Sequence, residues 1–501
     1  MRRVKIILLP LLVTALSSCS LPDTAPGYEI IESKYDYSDY AKHTGYMSVC
    51  PSVGESKILV VPVWFTDSNK YISTSNREDV RSDINAGYFG TSEETGWESV
   101  KTYYYKDSFG KCLMDGFTTD WYECGKPSSD FYQDSDATAQ LVIDSVNWYK
   151  ETYNDISMID FDKDSDGYLD GVVLIYAAPD YISARESSRS NLWAYTSWVG
   201  TDSNYVRPNP NAFFWSSYDF MYSTSKALKR TGLTSYGRGD TRFCNVDSHT
   251  FIHEMGHVFG LSDYYDYGGV ASPAAGFSMQ DYNVGAHDPY SRLALGWGTA
   301  LIPFKTTTFT VKPIEESGEM VILSPEYTGS PFDEYIILEL YTPTGLNKFD
   351  SEHAYSGYYP QGSSVAGVRV WHVDARLVEI VYDYNTEQWY LGKLTTAPTS
   401  TLTKLTWHAT SNSNGSRGIN YAGNYDYNEL ELIRNDVDES YNSTMPLMEY
   451  SLFQTGDTFS IAKYSKQFVN KFKLNGKTRF DWEVTFNSVT SEGMNITCKI
   501  I

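Results

Sequence analysis

The sequence predicts an α/β domain followed by a β-rich region, and three observations carry that prediction. Two short and almost wholly apolar runs, Lys57–Phe65 and Val172–Tyr176, have the composition of strands buried on both faces. Between them, Thr138–Tyr149 places Leu141, Val142, Val146 and Trp148 at helical spacing. After about residue 300 the pattern changes to alternation, as in Thr308–Lys312, Tyr335–Leu340 and Val368–His372.

Taken in order, the chain opens with Arg2, Arg3 and Lys5, an apolar run from Ile6 to Leu16, and small residues before Cys19. Such a run is too short to span a bilayer. It has the form of a lipoprotein signal (1–18), with cleavage and lipid attachment at Cys19. The expected product is exported, as a cell-surface lipoprotein anchored at Cys19 or as a secreted protein. Residues 19–53 are polar, rich in Ser, Tyr and Asp, and read as a tether or short pro-segment. The domain predicted over 54–300 begins with the first buried strand. Ser99–Tyr105 then reads as the end of a helix leading into a hairpin around Gly110 and Gly116, and residues 183–245 as strands with long loops. A β-rich region is predicted over 301–501, closed by a strand at Met494–Ile501.

The net charge of −23 disfavours nucleic acid as a partner and leaves carboxylates available for hard cations. Forty-two tyrosines suit strands and interfaces. Five cysteines follow Cys19, namely Cys50, Cys112, Cys124, Cys244 and Cys498, so they cannot all pair internally. Cys112 and Cys124 are close enough in sequence for a local disulfide. Cys50 has two readings, a buried or free thiol and a thiolate that occupies a metal in a latent form.

The most informative segment is His253-Glu254-Met255-Gly256-His257, continued by Gly260 and Asp263. Positions i and i+4 of a helix share a face, so the two imidazoles can converge on one Zn²⁺, with Glu254 beside them as a general base. Glycine at 260 permits positive φ, so the chain can turn and bring Asp263 back as a third ligand. Asp266 stands nearby as another carboxylate. With 8 His in the chain, H-E-x-x-H alone arises by chance roughly once in a hundred such sequences. Asp247 or Ser248 can cap the helix. His249 reads as a helper or cap residue and His372 as a structural histidine.

A second metal candidate lies in Asp162, Asp164, Asp166, Gly167, Tyr168 and Asp170, which follow the spacing of an EF-hand loop and suit Ca²⁺. Asp160 stands ready as a further ligand. Position 12 is Val173 instead of a bidentate glutamate, and a strand follows where an EF-hand has a helix.

Several segments together resemble the immune inhibitor A-like family of secreted bacterial zinc metallopeptidases. They are Tyr104–Gly110, the Asp162–Asp170 loop with its apolar strand, His253–Asp266, Gly276–Met279, Leu295–Trp297 and Gly367–Asp374. The resemblance implies a metzincin-like catalytic domain, with His253, His257 and Asp263 as zinc ligands, Glu254 as general base and Met279 in a turn beneath the metal. Where relatives often carry proline, this chain has Ser262. Tyr265 or Tyr282 is expected to donate a hydrogen bond to the oxyanion. The function expected is zinc-dependent endopeptidase action on protein or peptide substrates, with membrane attachment only through the lipid. Two competitors stand beside it: a non-catalytic adhesin or glycan-binding protein on the same scaffold, and a zinc hydrolase acting on a non-peptide bond.

Overall fold

The computed structural model describes residues 26–35, 49–154, 156–268, 272–325, 327–355, 359–401, 403–413, 427–435, 451–476 and 478–501. The leader, Cys19 and much of segment 19–53 lie outside the described residues. Among the described residues no helix is long and apolar enough to cross a membrane.

The structure is mixed α/β with several sheets and a β-rich C-terminal region. The first strand, β1 (Tyr28–Glu32), falls within the predicted tether. It pairs antiparallel with a strand some 270 residues later, so this part of the segment belongs to the fold. The N-terminal sheet follows: β2 (Gly54–Trp64), α1 (Arg77–Phe89), α2 (Val100–Asp107), β3 (Cys112–Thr118), β4 (Tyr122–Glu123), α3 (Ser135–Thr152), β5 (Gly171–Tyr176), β6 (Tyr195–Trp198) and β7 (Ala212–Ser217). Its order is β3-β2-β5-β7-β6. Neighbours are parallel except for β6, which runs antiparallel at the edge. The expected hairpin after α2 does not form. Gly110, at φ +77°, turns the chain into β3, which runs parallel to β2 and therefore needs the helical crossover that precedes it.

Side chains on β3 show why both sheet faces are apolar. A Cβ at Gly116 would meet Phe89 of α1, whereas the next residue, Phe117, packs on Tyr149 of α3 at 6.1 Å. Successive strand residues point to opposite faces, so the helices sandwich the sheet and near-continuous apolar strands are required. The same pairing separates Cys112 from Cys124. Cys112 lies opposite Gly54 and the Cys124 N–H bonds to Trp64, the two ends of an 11-residue strand. At about 3.3 Å per residue these ends are about 33 Å apart, so the local disulfide is ruled out and the two cysteines are not bonded to each other.

α4 (Thr224–Thr231), α5 (His249–Val258), α6 (Met279–Tyr282) and α7 (Pro289–Ala294) complete this half. The chain then enters β8 (Thr299–Pro303), β9 (Thr307–Val311), β10 (Glu319–Leu323), β11 (Glu334–Tyr341), β12 (Gly367–Asp374), β13 (Leu377–Asp383), β14 (Gln388–Thr395), β15 (Lys404–His408), β16 (Leu430–Ile433), β17 (Thr458–Phe459), β18 (Trp482–Thr490) and β19 (Gly493–Ile500). Three sheets result: β1-β8-β10-β11-β12-β16, β14-β13-β15 and β17-β18-β19-β9. The six-stranded sheet lies between two cores. Tyr335 and Ile337 of β11 face the core shared with the N-terminal half, while Ile336 and Leu338 face the core of the last sheet. The apolar packing therefore runs on across residue 300.

Candidate metal centre

Helix α5 is fixed at both ends by local chemistry. Asp247 Oδ1 accepts the His249 N–H at 3.0 Å, while Ser248 donates to the Glu98 carbonyl, so Asp247 supplies the side-chain cap. At the C-terminal end Gly260 takes φ +105° and allows the reversal to Asp263. Glycine at 256 answers to packing: a Cβ there would lie 2.1 Å from Gln280 Oε1. The tyrosines of α1 and α2 seat the helix. Tyr88 stacks on Phe251 at 5.3 Å, and Tyr104 donates to the Ile252 carbonyl at 2.7 Å.

The fold brings His253, His257 and Asp263 to one point. Nε2 of His253 and Nε2 of His257 are 3.2 Å apart, and each is 3.1 Å from Asp263 Oδ1. Their Nδ1 atoms are already committed. His253 Nδ1 lies 2.7 Å from the Met279 carbonyl and His257 Nδ1 lies 2.8 Å from the Leu261 carbonyl, and a carbonyl can only accept. The protons must sit on Nδ1, and three lone pairs face one another across the centre. A tetrahedral zinc site with bonds of about 2.0–2.1 Å has donor–donor edges of about 3.3–3.4 Å. The donor set and spacing fit that ion. Without a metal, a proton serves in part. Burial opposes charge on His257, but the Asp263 carboxylate outweighs it and lifts the imidazole to about 9. Burial would raise Asp263, yet the two histidines hold it well below the usual carboxylate range.

Glu254 is buried, with a carboxylate oxygen within 4.8 Å of histidine ligand atoms. Burial raises its pKa and the two histidines partly offset the rise. Thr196, on the antiparallel edge strand β6, donates to Glu254 Oε2 at 3.0 Å and fixes the carboxylate. Asp266 instead accepts the Gly268 N–H, and Tyr267 donates to Asp263 Oδ2, leaving Oδ1 for the centre.

Met279 is buried beside the centre, and its backbone carbonyl, more than its thioether, has a visible task in orienting His253. The expected tyrosines separate. The Tyr265 ring lies 6.3 Å from that of His253, while Tyr282 packs edge-on against Tyr359 at 5.6 Å. Behind the ligands a buried polar chain runs from Gln280 to His287 (3.2 Å), Asp107 (2.7 Å) and Arg292 (3.0 Å). The C-terminal half supports the ligand loop: Asn412 donates to the Tyr264 carbonyl at 2.9 Å.

Cys50 is buried against Ser56, Cys112 and Asp170, and the His253–Glu254–His257 group does not include it. The latent-thiolate reading is therefore not sustained, and burial pushes its thiol up. Thr196, Tyr267, Gln280 and His287 escaped the sequence reading because their roles depend on contacts up to 180 residues away or on short-range turns with no fixed spacing. The glycine at 256 was the one signal, since it marks a close neighbour.

At the acidic loop, Asp162, Asp164 and Asp166 bring carboxylate oxygens within 4.8 Å of one another. Asp162 accepts the Asp166 and Gly167 N–H groups at 3.0 Å, and Gly167 takes φ +88° at the sharp turn. Burial raises Asp162, and Asp164 adds to the rise, a crowding that a divalent cation relieves. Asp170 departs from the expected ligand set: its oxygens accept Lys163 and Lys57 N–H groups at 2.9 and 2.7 Å and tie the loop to β2. Tyr168 donates its backbone N–H to Asp166 and its hydroxyl to Thr201. Asp160 lies outside the group and Val173 is buried in β5.

No protein-family model matches the chain, and no curated protein matches it.

Proposed function

We propose that the protein is a zinc-dependent metalloendopeptidase with a metzincin-like catalytic domain, displayed at the cell surface through Cys19 or secreted. The observation that carries this reading is the convergence of His253 Nε2, His257 Nε2 and Asp263 Oδ1 at 3.1–3.2 Å with every Nδ1 proton committed elsewhere. Bound by these residues, zinc would supply Lewis acidity to a scissile carbonyl and make an adjacent water acidic. The chain's own residues supply the rest. Glu254, raised by burial and oriented by Thr196, takes a proton from the attacking water and returns it to the departing nitrogen. Met279 and Leu261 hold the ligand rings through their carbonyls, and Tyr267 fixes the third ligand. Asp162, Asp164 and Asp166 would hold calcium and stiffen the loop ahead of β5.

A binding role for the C-terminal half has its own support. Trp389, Leu391 and Trp407, exposed by 47%, 53% and 42%, lie on β14 and β15 and suit a glycan or protein surface. Such a role is compatible with an active centre and survives its loss.

The reading is tested with the full exported chain on a denatured-protein digest followed by mass spectrometry. Glu254→Gln should keep its zinc and fold while cleavage falls by about 10²–10⁴-fold. Cleavage undiminished in that variant would remove Glu254 from the chemistry.

A further inference from the structure

A cavity of about 720 Å³ opens beside the zinc helix and is lined by Arg185, Arg238, Phe220, Tyr236, Thr250 and Tyr359 among others. Its volume is that of a ligand site. Thr250 places it. That residue stands four positions before Glu254 on α5, one turn away on the same face. Tyr359 extends the wall toward the α6 turn through its contact with Tyr282 at 5.6 Å.

The two arginines distinguish this cavity. Neighbouring arginines are paired: Arg189 with Glu186, Arg230 with Asp83 and Arg242 with Asp240. Among the described residues no carboxylate comes within 4.0 Å of Arg185 or Arg238. The Arg238 guanidinium lies over the Trp193 and Phe220 rings, at 4.7 and 5.7 Å, and its buried Nε has no hydrogen-bond partner. Asp180 lies under the same loop but is turned to the backbone, accepting the Ile182 and Ser183 N–H groups at 2.7 and 3.2 Å. Asp219 gives a carboxylate oxygen to the Asp180 N–H at 3.1 Å. In a chain of net charge −23, the Arg238 guanidinium lies over aromatic rings and the exposed Arg185 lines the same cavity, which makes its wall locally cationic.

We infer that this cavity is a specificity subsite of the zinc centre and receives a substrate carboxylate, from an aspartate or glutamate side chain or from a peptide C-terminus. The inference rests on the peptidase reading, but the binding it requires does not depend on turnover. Planar guanidinium groups favour carboxylate over the isosteric amide, because an amide offers less charge and presents donors to donors.

Two arms test this with the full exported chain loaded with zinc. In the first, fluorescent peptides differing only in glutamate against glutamine are titrated onto Glu254→Gln protein. Each peptide carries a free or amidated C-terminus. The carboxylate form should bind about tenfold or more tightly, and the ratio should fall toward one in Arg185→Gln and Arg238→Gln backgrounds. In the second, a peptide library cut by the active protein should show acidic residues enriched at one position relative to the cut, or cuts confined to free C-termini. Enrichment internally assigns the side-chain source, and loss on amidation assigns the terminus. Arg185 is exposed, so its variant preserves the test should Arg238→Gln fail to fold. Absence of cleavage with intact carboxylate-dependent binding would sink the peptidase reading and keep the anion site. Equal binding of glutamate and glutamine peptides together with no loss on amidation, or a preference unchanged in both arginine variants, would overturn the inference.

Discussion

Two groups of buried histidines in this molecule differ in what faces their ring nitrogens. At the α5 centre, His253 and His257 give Nδ1–H to backbone carbonyls and turn their Nε2 atoms toward each other and toward Asp263. In β12, His372 faces a carboxylate at each ring nitrogen, Glu431 at 3.1 Å and Glu334 at 3.0 Å. Burial opposes charge on His372, yet the two glutamates prevail and hold its pKa at about 10, so this ring carries its own positive charge. His249 is held likewise at about 10 between Asp350 and Asp247 against the burial cost. Burial and acidic company are common to both groups. What separates a metal site from an internal ion pair is where the second ring proton can go.

The largest expected effect follows from removing ligands. His257→Ala should abolish stoichiometric zinc and cleavage together, whereas His372→Ala should keep zinc and lose about 3–5 kcal/mol of stability, since it leaves buried glutamates uncompensated. Metal analysis and urea unfolding separate the two. Next in size is a pH effect. His372 has a folded pKa above its unfolded value of about 6.5, so its stabilisation is complete below about 6.5 and is lost as pH rises through about 10. The stability gap between the wild type and His372→Gln should therefore narrow between pH 7 and pH 10.5 in urea titrations, and a gap that widens would contradict the charged ring.

Tyr267→Phe should sharpen the comparison from the metal side by weakening zinc about 10–100-fold in chelator competition, because Asp263 loses the donor that aims it. The smallest effect concerns the acidic loop. Saturating calcium should raise the thermal midpoint by roughly 2–5 °C, and Asp164→Asn should remove most of that rise. A midpoint indifferent to calcium would leave Asp162, Asp164 and Asp166 as a hydrogen-bonded turn.

The two histidine groups also show what can be read from residues alone. His253, Glu254, His257 and Asp263 were legible because a helix fixes the i, i+4 relation and Gly260 marks the return, both local facts. His372 was legible as structural because it sits in a run of apolar strand residues. The alternation across β11 was visible, but the sequence held no sign that its two faces serve different cores. Pairing of Tyr28–Glu32 with Thr299–Pro303 was hidden because long-range register leaves no local mark in five residues. Thr196, Tyr267 and His287 were invisible for the same reason: a serviceable hydroxyl or ring is common, and only the fold says which one arrives.

The most direct test of this account is zinc content by inductively coupled plasma mass spectrometry on wild type, His257→Ala and His372→Ala, each purified in zinc and freed of loosely held ions. One zinc per chain in the wild type and in His372→Ala, with none in His257→Ala, is the predicted result. Equal zinc in all three proteins, or none in the wild type, would contradict the convergence of lone pairs as a metal centre.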